Sequence, residues 1–152
     1  MHLQDSAVVL TAKGRCSVMQ NPELLRPKHS EQSVILLAED EVMVQNIVRI
    51  TLEHDGYFVL TADNGEDALF VSRQFPGRIH LLLSDVVMPK MNGVELGKRV
   101  AAERPETKIV LMSGHHNEDN IDPKYPFLKK PFSVSKLSDT IRGLVPVRRA
   151  DS

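Results

Sequence analysis

Four short polar clusters in this chain each follow an apolar run, and between them they hold carboxylates, a hydroxyl and an amine. Glu39-Asp40-Glu41 follows Val34-Ile35-Leu36-Leu37-Ala38, and Asp85 follows Leu81-Leu82-Leu83-Ser84. Ser113 follows Ile109-Val110-Leu111-Met112, and Lys129-Lys130-Pro131 follows Phe127-Leu128. Acidic side chains brought close together repel and coexist only with a cation or with protons. Oxygen donors without a Cys or a His pair favour a hard ion. Mg²⁺, or Mn²⁺ in its place, keeps several waters beside one or two carboxylates. Lys130 adds a point charge, and the Ser113 hydroxyl a hydrogen bond. A metal, a lysine and a hydroxyl around one carboxylate suit phosphoryl transfer onto that carboxylate. The cations offset charge on the transferring group, and an aspartyl phosphate is a recognised covalent species. Singly, none of these residues carries the reading. A strand-end Asp is commonly a cap or turn former, a Lys-Pro pair is ordinary loop, and Glu39-Asp40-Glu41 equally suits a helix start favoured by the helix dipole. Everything rests on convergence.

The elements between the clusters decide whether they converge. Val34–Ala38 is continuously apolar, as a strand buried on both faces would be. Val44, Ile47, Val48, Thr51 and Leu52 then recur at helical spacing until Gly56. Residues 57–62 read as a second strand. Asn64 caps a helix with Ala68, Leu69, Ser72 and Phe75 on one face, closed by Pro76-Gly77. Residues 79–84 read as a third strand. Asn92, with Glu95 at the N3 position of a capping box, opens a helix that Pro105 ends. Residues 108–112 and 125–128 supply the fourth and fifth strands, and Ser133 caps a last helix carrying Leu137, Ile141 and Leu144.

This alternation predicts an α/β fold, a flavodoxin-like doubly wound sheet of five parallel strands in the order 2-1-3-4-5. Ligands of such sheets gather beyond the carboxyl ends of the strands, near the point where strand order reverses. There the first and third strands are neighbours, so Glu39, Asp40 and Asp85 meet, with Ser113 and Lys130 beside them. Pro126 falls on an edge strand, where a missing N–H is tolerated. The polar stretch from Ser113 to Lys124 has one apolar residue, Ile121. It predicts a loop or a single helical turn, so the fourth helix is short or irregular.

Composition excludes several classes. The chain has 152 residues, enough for one domain, with 41% hydrophobic and 26% charged residues. Its net charge of −1 gives no bulk case for binding nucleic acid or a membrane surface. The single cysteine, Cys16, rules out an internal disulfide and favours a reducing compartment, so a cytoplasmic location is the default. The apolar stretch Ala7-Val8-Val9-Leu10 is too short for a signal peptide, and nothing approaches a membrane span. Residues 1–31 show no sustained periodicity and read as a loosely ordered leader, residues 32–145 as the domain, and 146–152 as a tail with no room for an output domain.

The stretches 34–41, 81–93, 109–114 and 127–132 together resemble the response-regulator receiver domain of two-component signalling, over about residues 33–145. The resemblance implies Asp85 as phosphoacceptor and Asp40 as a direct metal ligand. It implies Glu39 as the acid reaching the ion through water, and the Val87 backbone carbonyl as a further ligand. Ser113 and Lys130 would contact the phosphoryl oxygens, Lys130 rather than Lys129 because it precedes Pro131. Phe127 takes the aromatic switch position, with no hydroxyl to donate, and Ser113 moves with it as the second switch residue. Val87 and His115 stand where related receivers tune the attack of water, and apolar Val87 predicts slow self-hydrolysis. The implied partners are a histidine kinase or histidine phosphotransfer protein and an unidentified downstream protein, with a homodimer left open. Such a chain catalyses only its own phosphorylation and dephosphorylation. The rival readings are a receiver-like binding module that needs no phosphate and a phosphatase built on the same fold.

Overall fold

The computed structural model describes residues 8–10, 32–114 and 121–148. Its strands are β1 (Val8–Leu10), β2 (Val34–Ala38), β3 (Phe58–Ala62), β4 (Leu81–Asp85), β5 (Lys108–Ser113) and β6 (Phe127–Lys129). Its helices are α1 (Val42–Asp55), α2 (Gly65–Gln74), α3 (Gly93–Glu103) and α4 (Val134–Leu144). All strand pairs are parallel, in the order β1-β3-β2-β4-β5-β6. The five strands from β2 onward thus run second, first, third, fourth, fifth, as the alternation predicts. β1 differs from the expectation for residues 1–31: three of them add a strand along the outer edge of β3, with Val8 opposite Leu60. The rest of that leader lies outside the described residues.

Strand periodicity explains the two-layered core. Successive side chains of β2 point to opposite faces. Leu36 and Ala38 join the apolar layer under α2 and α3, with Leu60, Leu69 and Leu96. Ile35 and Leu37 join the layer under α1 and α4, with Val48, Leu52, Leu137 and Ile141. A strand buried on both faces cannot alternate polar and apolar residues, and all five positions of β2, β3 and β4 are buried.

Three helix starts are capped as their sequences predict. The side chains of Asn64, Asn92 and Ser133 accept hydrogen bonds from the backbone N–H groups of Asp67, Glu95 and Lys136. The capping box at Asn92 is only half formed, because the Glu95 carboxylate pairs with Arg99 one turn on at 2.8 Å. Gly56 ends α1 with φ of 111°, a left-handed conformation that glycine adopts without strain. The apolar face of α1 is narrower than its periodicity suggests: Val48 and Leu52 are buried, whereas Ile47 is 54% exposed. Between β5 and β6 the described residues, 114 and 121–126, form bends and turns; residues 115–120, on which the expectation of a short or irregular helix falls, lie outside the described residues.

Candidate functional site

Parallel pairing places the carboxyl ends of β2, β4, β5 and β6 on one edge of the sheet, and the predicted residues meet there. One carboxylate oxygen from each of Glu39, Asp40 and Asp85 lies within 4.8 Å of the other two. Glu39 follows β2 and is fully buried, with its N–H on the Ala62 carbonyl at 3.1 Å. Both its carboxylate oxygens are engaged: Oε1 accepts from Lys130 Nζ at 2.8 Å, and Oε2 from the Glu41 N–H at 3.0 Å. Gln45 on α1 ties the neighbouring strand ends together. Its Nε2 donates to the Glu39 carbonyl at 2.9 Å, the Ala62 carbonyl at 3.3 Å and Asp63 at 3.0 Å. Asp40, by contrast, is exposed.

Asp85 closes β4 and is 8% exposed. Its backbone is fixed from several sides. The Ser84 hydroxyl donates to the Asp85 carbonyl at 2.8 Å, the next residue's N–H bonds Met112, and the Gly93 N–H bonds Val86 at 2.8 Å. Gly93 opens α3 directly against this strand end, where a Cβ would lie 2.1 Å from the Asp85 carbonyl oxygen. Only a residue without a side chain permits that approach. Ser113 ends β5, buried, and its carbonyl accepts the Lys130 N–H at 2.9 Å. That bond holds the segment after β6 so that Lys130 Nζ lies 3.4 Å from Asp85 Oδ1. Val87 is 46% exposed beside the cluster. Phe127 is half-buried in β6 and packs on the layer under α2 and α3. His115 lies outside the described residues.

Two features were not visible in the sequence. The lysine's nearer anion is Glu39 rather than Asp85, a pair 91 residues apart. The bracing by Gln45 and Gly93 likewise depends on tertiary proximity. A glutamine on the buried face of an otherwise apolar helix stripe is the one signal that could have pointed to Gln45.

The electrostatics follow from three carboxylates and one ammonium, a local charge of −2 when all are ionised. Burial pushes the Glu39 carboxyl above its ordinary range, against the opposing hydrogen bond from Lys130. Burial likewise raises Asp85; the Lys130 charge opposes it and the Asp40 charge adds to it. Burial pulls the Lys130 ammonium down, but its contacts with Glu39 and Asp85 outweigh this, so it is raised and stays charged. The residues fit a hard divalent cation: oxygen donors only, with a deficit of two positive charges. Asp40 and Asp85 would hold the ion directly. Glu39, with both oxygens engaged, suits a contact through water. When bound, such an ion supplies positive charge against the carboxylates and any phosphoryl oxygens brought to them.

Sheet order, strand-end acids and paired lysine define a receiver fold. The family description "Response regulator receiver domain" matches residues 35–142. The chain belongs to that family. It is 35% identical over 116 residues to the response regulator receiver protein CpdR of Brucella abortus, covering 73% of this chain and 95% of CpdR. It is 33% identical over 121 residues to the sensor kinase CckA of the same organism, covering 76% of this chain but only 13% of that longer protein. The crystal structure of the receiver domain from hybrid histidine kinase CckA superposes with a TM-score of 0.66 at 31% identity, covering 74% of this chain and 99% of that one. That of the response regulator TrrA from Thermotoga maritima, in complex with Mg²⁺ and BeF, gives 0.66 at 25% identity, covering 75% and 100%. Among the described residues, no helix is long and apolar enough to cross a membrane.

Proposed function

We propose that this receiver domain accepts a phosphoryl group on Asp85 from a phosphohistidine of a histidine kinase or histidine phosphotransfer protein, with Mg²⁺ or Mn²⁺ as cofactor. An Asp85 carboxylate oxygen forms the new O–P bond, the N–P bond breaks, and the imidazole leaves with its electron pair. The observation that carries the reading is Lys130 Nζ, held 2.8 Å from Glu39 and 3.4 Å from Asp85. A half-buried lysine so placed keeps a fixed charge where phosphoryl oxygens would arrive, without reorganisation at the moment of transfer. Ser113, buried at the end of the adjacent strand, adds a hydroxyl on the same side.

Support for a helical donor comes from α1. Met43, Ile47 and Ile50 are 75%, 54% and 57% exposed at spacings of four and three. That leaves one side of a helix apolar and open to solvent beside the site. Ile47 also shares a groove of about 520 Å³ with Val44, Pro131, Phe132 and Lys130. A donor helix seated on this face would present its histidine toward Asp85. On this reading the domain turns over no separate substrate and signals through its own surface, and Val87, lacking a polar group, leaves the aspartyl phosphate long-lived.

The test is incubation with acetyl phosphate and Mg²⁺, followed by intact-mass measurement. The expected result is a gain of one phosphoryl group that is lost in Asp85→Asn and on chelation. Labelling that persists in Asp85→Asn sinks the assignment, and no labelling at all favours a phosphate-independent binding module.

A further inference from the structure

The opposite end of the sheet carries a second concentration of charge. There a cleft of about 340 Å³ is lined by Arg78 and His80 ahead of β4, Lys108 at the start of β5, and Leu144, Pro146 and Arg148 at and beyond the end of α4. The length of β4 puts it about 16 Å from Asp85. Arg78, Lys108 and Arg148 are exposed, yet among the described residues none forms an ion pair with a carboxylate. The chain as a whole has a net charge of −1, so three cations around one cleft do not reflect its composition.

The cleft is also built rather than incidental. The His80 N–H bonds the Val34 carbonyl at 2.8 Å, and its carbonyl accepts from Lys108 at 3.1 Å, which fixes the residue between two strand starts. Its Nδ1 accepts the Val34 N–H at 3.0 Å, so Nε2 carries the ring proton and is the ring's donor. Lys108 Nζ donates to the Leu144 carbonyl at 2.9 Å, holding the end of α4 and using one of its three donors. Val145 beneath is 6% exposed and anchors an apolar wall continued by Leu144 and Pro146.

We propose that this cleft is a second, anion-binding site that takes the phosphate groups of a small phosphorylated molecule, a nucleoside diphosphate being the simplest. Two guanidinium forks match phosphate oxygens bidentately, and Lys108 adds a point charge. The apolar wall of Leu144, Val145 and Pro146 accommodates the organic portion. A volume near the lower end of small-ligand pockets suits such a molecule better than a peptide. The site lies at the amino ends of the strands and does not depend on the reading of Asp85.

The experiment is a titration of the ¹⁵N-labelled full chain with ADP at low ionic strength without divalent metal. The expected result is saturable shifts in the backbone signals of Arg78, His80, Lys108 and Val145, weakened by added salt. Arg78→Ala/Arg148→Ala removes two side chains that make no hydrogen bond or ion pair among the described residues. Its melting temperature and acetyl phosphate labelling should therefore match the wild type. Its affinity for ADP should drop at least about ten-fold. Shifts that do not saturate, that centre on Asp85 and Lys130, or that persist unchanged in the double variant overturn the proposal. So does an acidic peptide that moves the cleft signals where ADP does not.

Discussion

Gly93→Ala tests whether α3 is pressed against the site as closely as the structure has it. The new Cβ would stand 2.1 Å from the Asp85 carbonyl oxygen and 2.9 Å from both the Asp85 carbonyl carbon and Ser84 Oγ. The nearest atoms are backbone, so no side chain can swing aside. Real Cβ contacts essentially stop at 3.0 Å, so α3 and the end of β4 must part by at least about 0.9 Å. Overpacking of this kind costs about 1–3 kcal/mol. The Gly93–Val86 hydrogen bond, 2.8 Å in the native arrangement, is weakened as well, which adds about 1 kcal/mol. The better helix propensity of alanine returns somewhat under 1 kcal/mol. The net loss is about 1.5–3 kcal/mol, or roughly 5–15 °C in melting temperature for a domain of this size. A shift near 1 Å at Asp85 should also slow acetyl phosphate labelling by up to about 100-fold. Gly143→Ala is the matched control: nothing lies within 4 Å of its Cβ, so it should stabilise α4 by about 0.4–1 kcal/mol and leave labelling intact. A Gly93→Ala protein that melts within a degree of wild type and labels at the same rate refutes the close approach.

Three further outcomes follow from the same geometry. In the absence of divalent metal, Asp85→Asn should raise stability by about 1–2 kcal/mol, because it relieves two carboxylate repulsions and loses one contact with Lys130. Added Mg²⁺ should then raise the melting temperature of wild type but not of the variant, and equal responses would count against a metal at this cluster. His80 is held below its ordinary value of 6.5 by burial and by the charges of Arg78 and Arg148. The unfolded chain therefore takes up the proton first, so its contribution is complete above about pH 6.5 and is lost as pH falls from there toward the folded value. Denaturant titrations at pH 7.5 and 5.5 should show a larger loss for wild type than for His80→Gln; identical losses would remove His80 as the cause. Ile47→Lys alters a side chain that is 54% exposed, so stability should change by no more than about 0.5 kcal/mol. Labelling by acetyl phosphate should be unaffected while transfer from a phosphorylated histidine phosphotransfer protein falls, and undiminished transfer would move the donor's docking face elsewhere.

Much of this fold is written in local pattern. The run Val34–Ala38 can only be a strand with two covered faces, and alternation then sends Ile35 and Leu37 one way and Leu36 and Ala38 the other. The caps at Asn64, Asn92 and Ser133 are equally local, since each side chain bonds a backbone N–H three residues on. Convergence of Glu39, Asp40 and Asp85 follows once strand order is known, because parallel strands deliver their carboxyl ends to one edge. Where the signal was short or the partner distant, pattern was silent. Val8–Leu10 has too few residues for any period, and its strand exists because β3 offers an open edge. The lysine between Glu39 and Asp85 is placed by the bond from its own N–H to the Ser113 carbonyl, a register between β5 and β6 that no single segment encodes.

Ile47 shows a different limit, and it bears on how the site is reached. Helical periodicity reports that positions 44, 47, 48, 51 and 52 share a side of α1, but not which edge of that side meets the sheet. The structure buries Val48 and Leu52 with the polar Gln45 between them and the strand ends, and turns Ile47 outward with Met43 and Ile50. Gln45 takes the inward place because carbonyls at the ends of β2 and β3 accept from its amide, and an apolar residue there would leave the Glu39 carbonyl without that donor. Rotating α1 to serve those carbonyls also carries its apolar margin to the rim of the acidic cluster. One choice of helix orientation thereby braces Glu39 from behind and leaves an exposed apolar strip on α1, the face on which the proposed donor would lie.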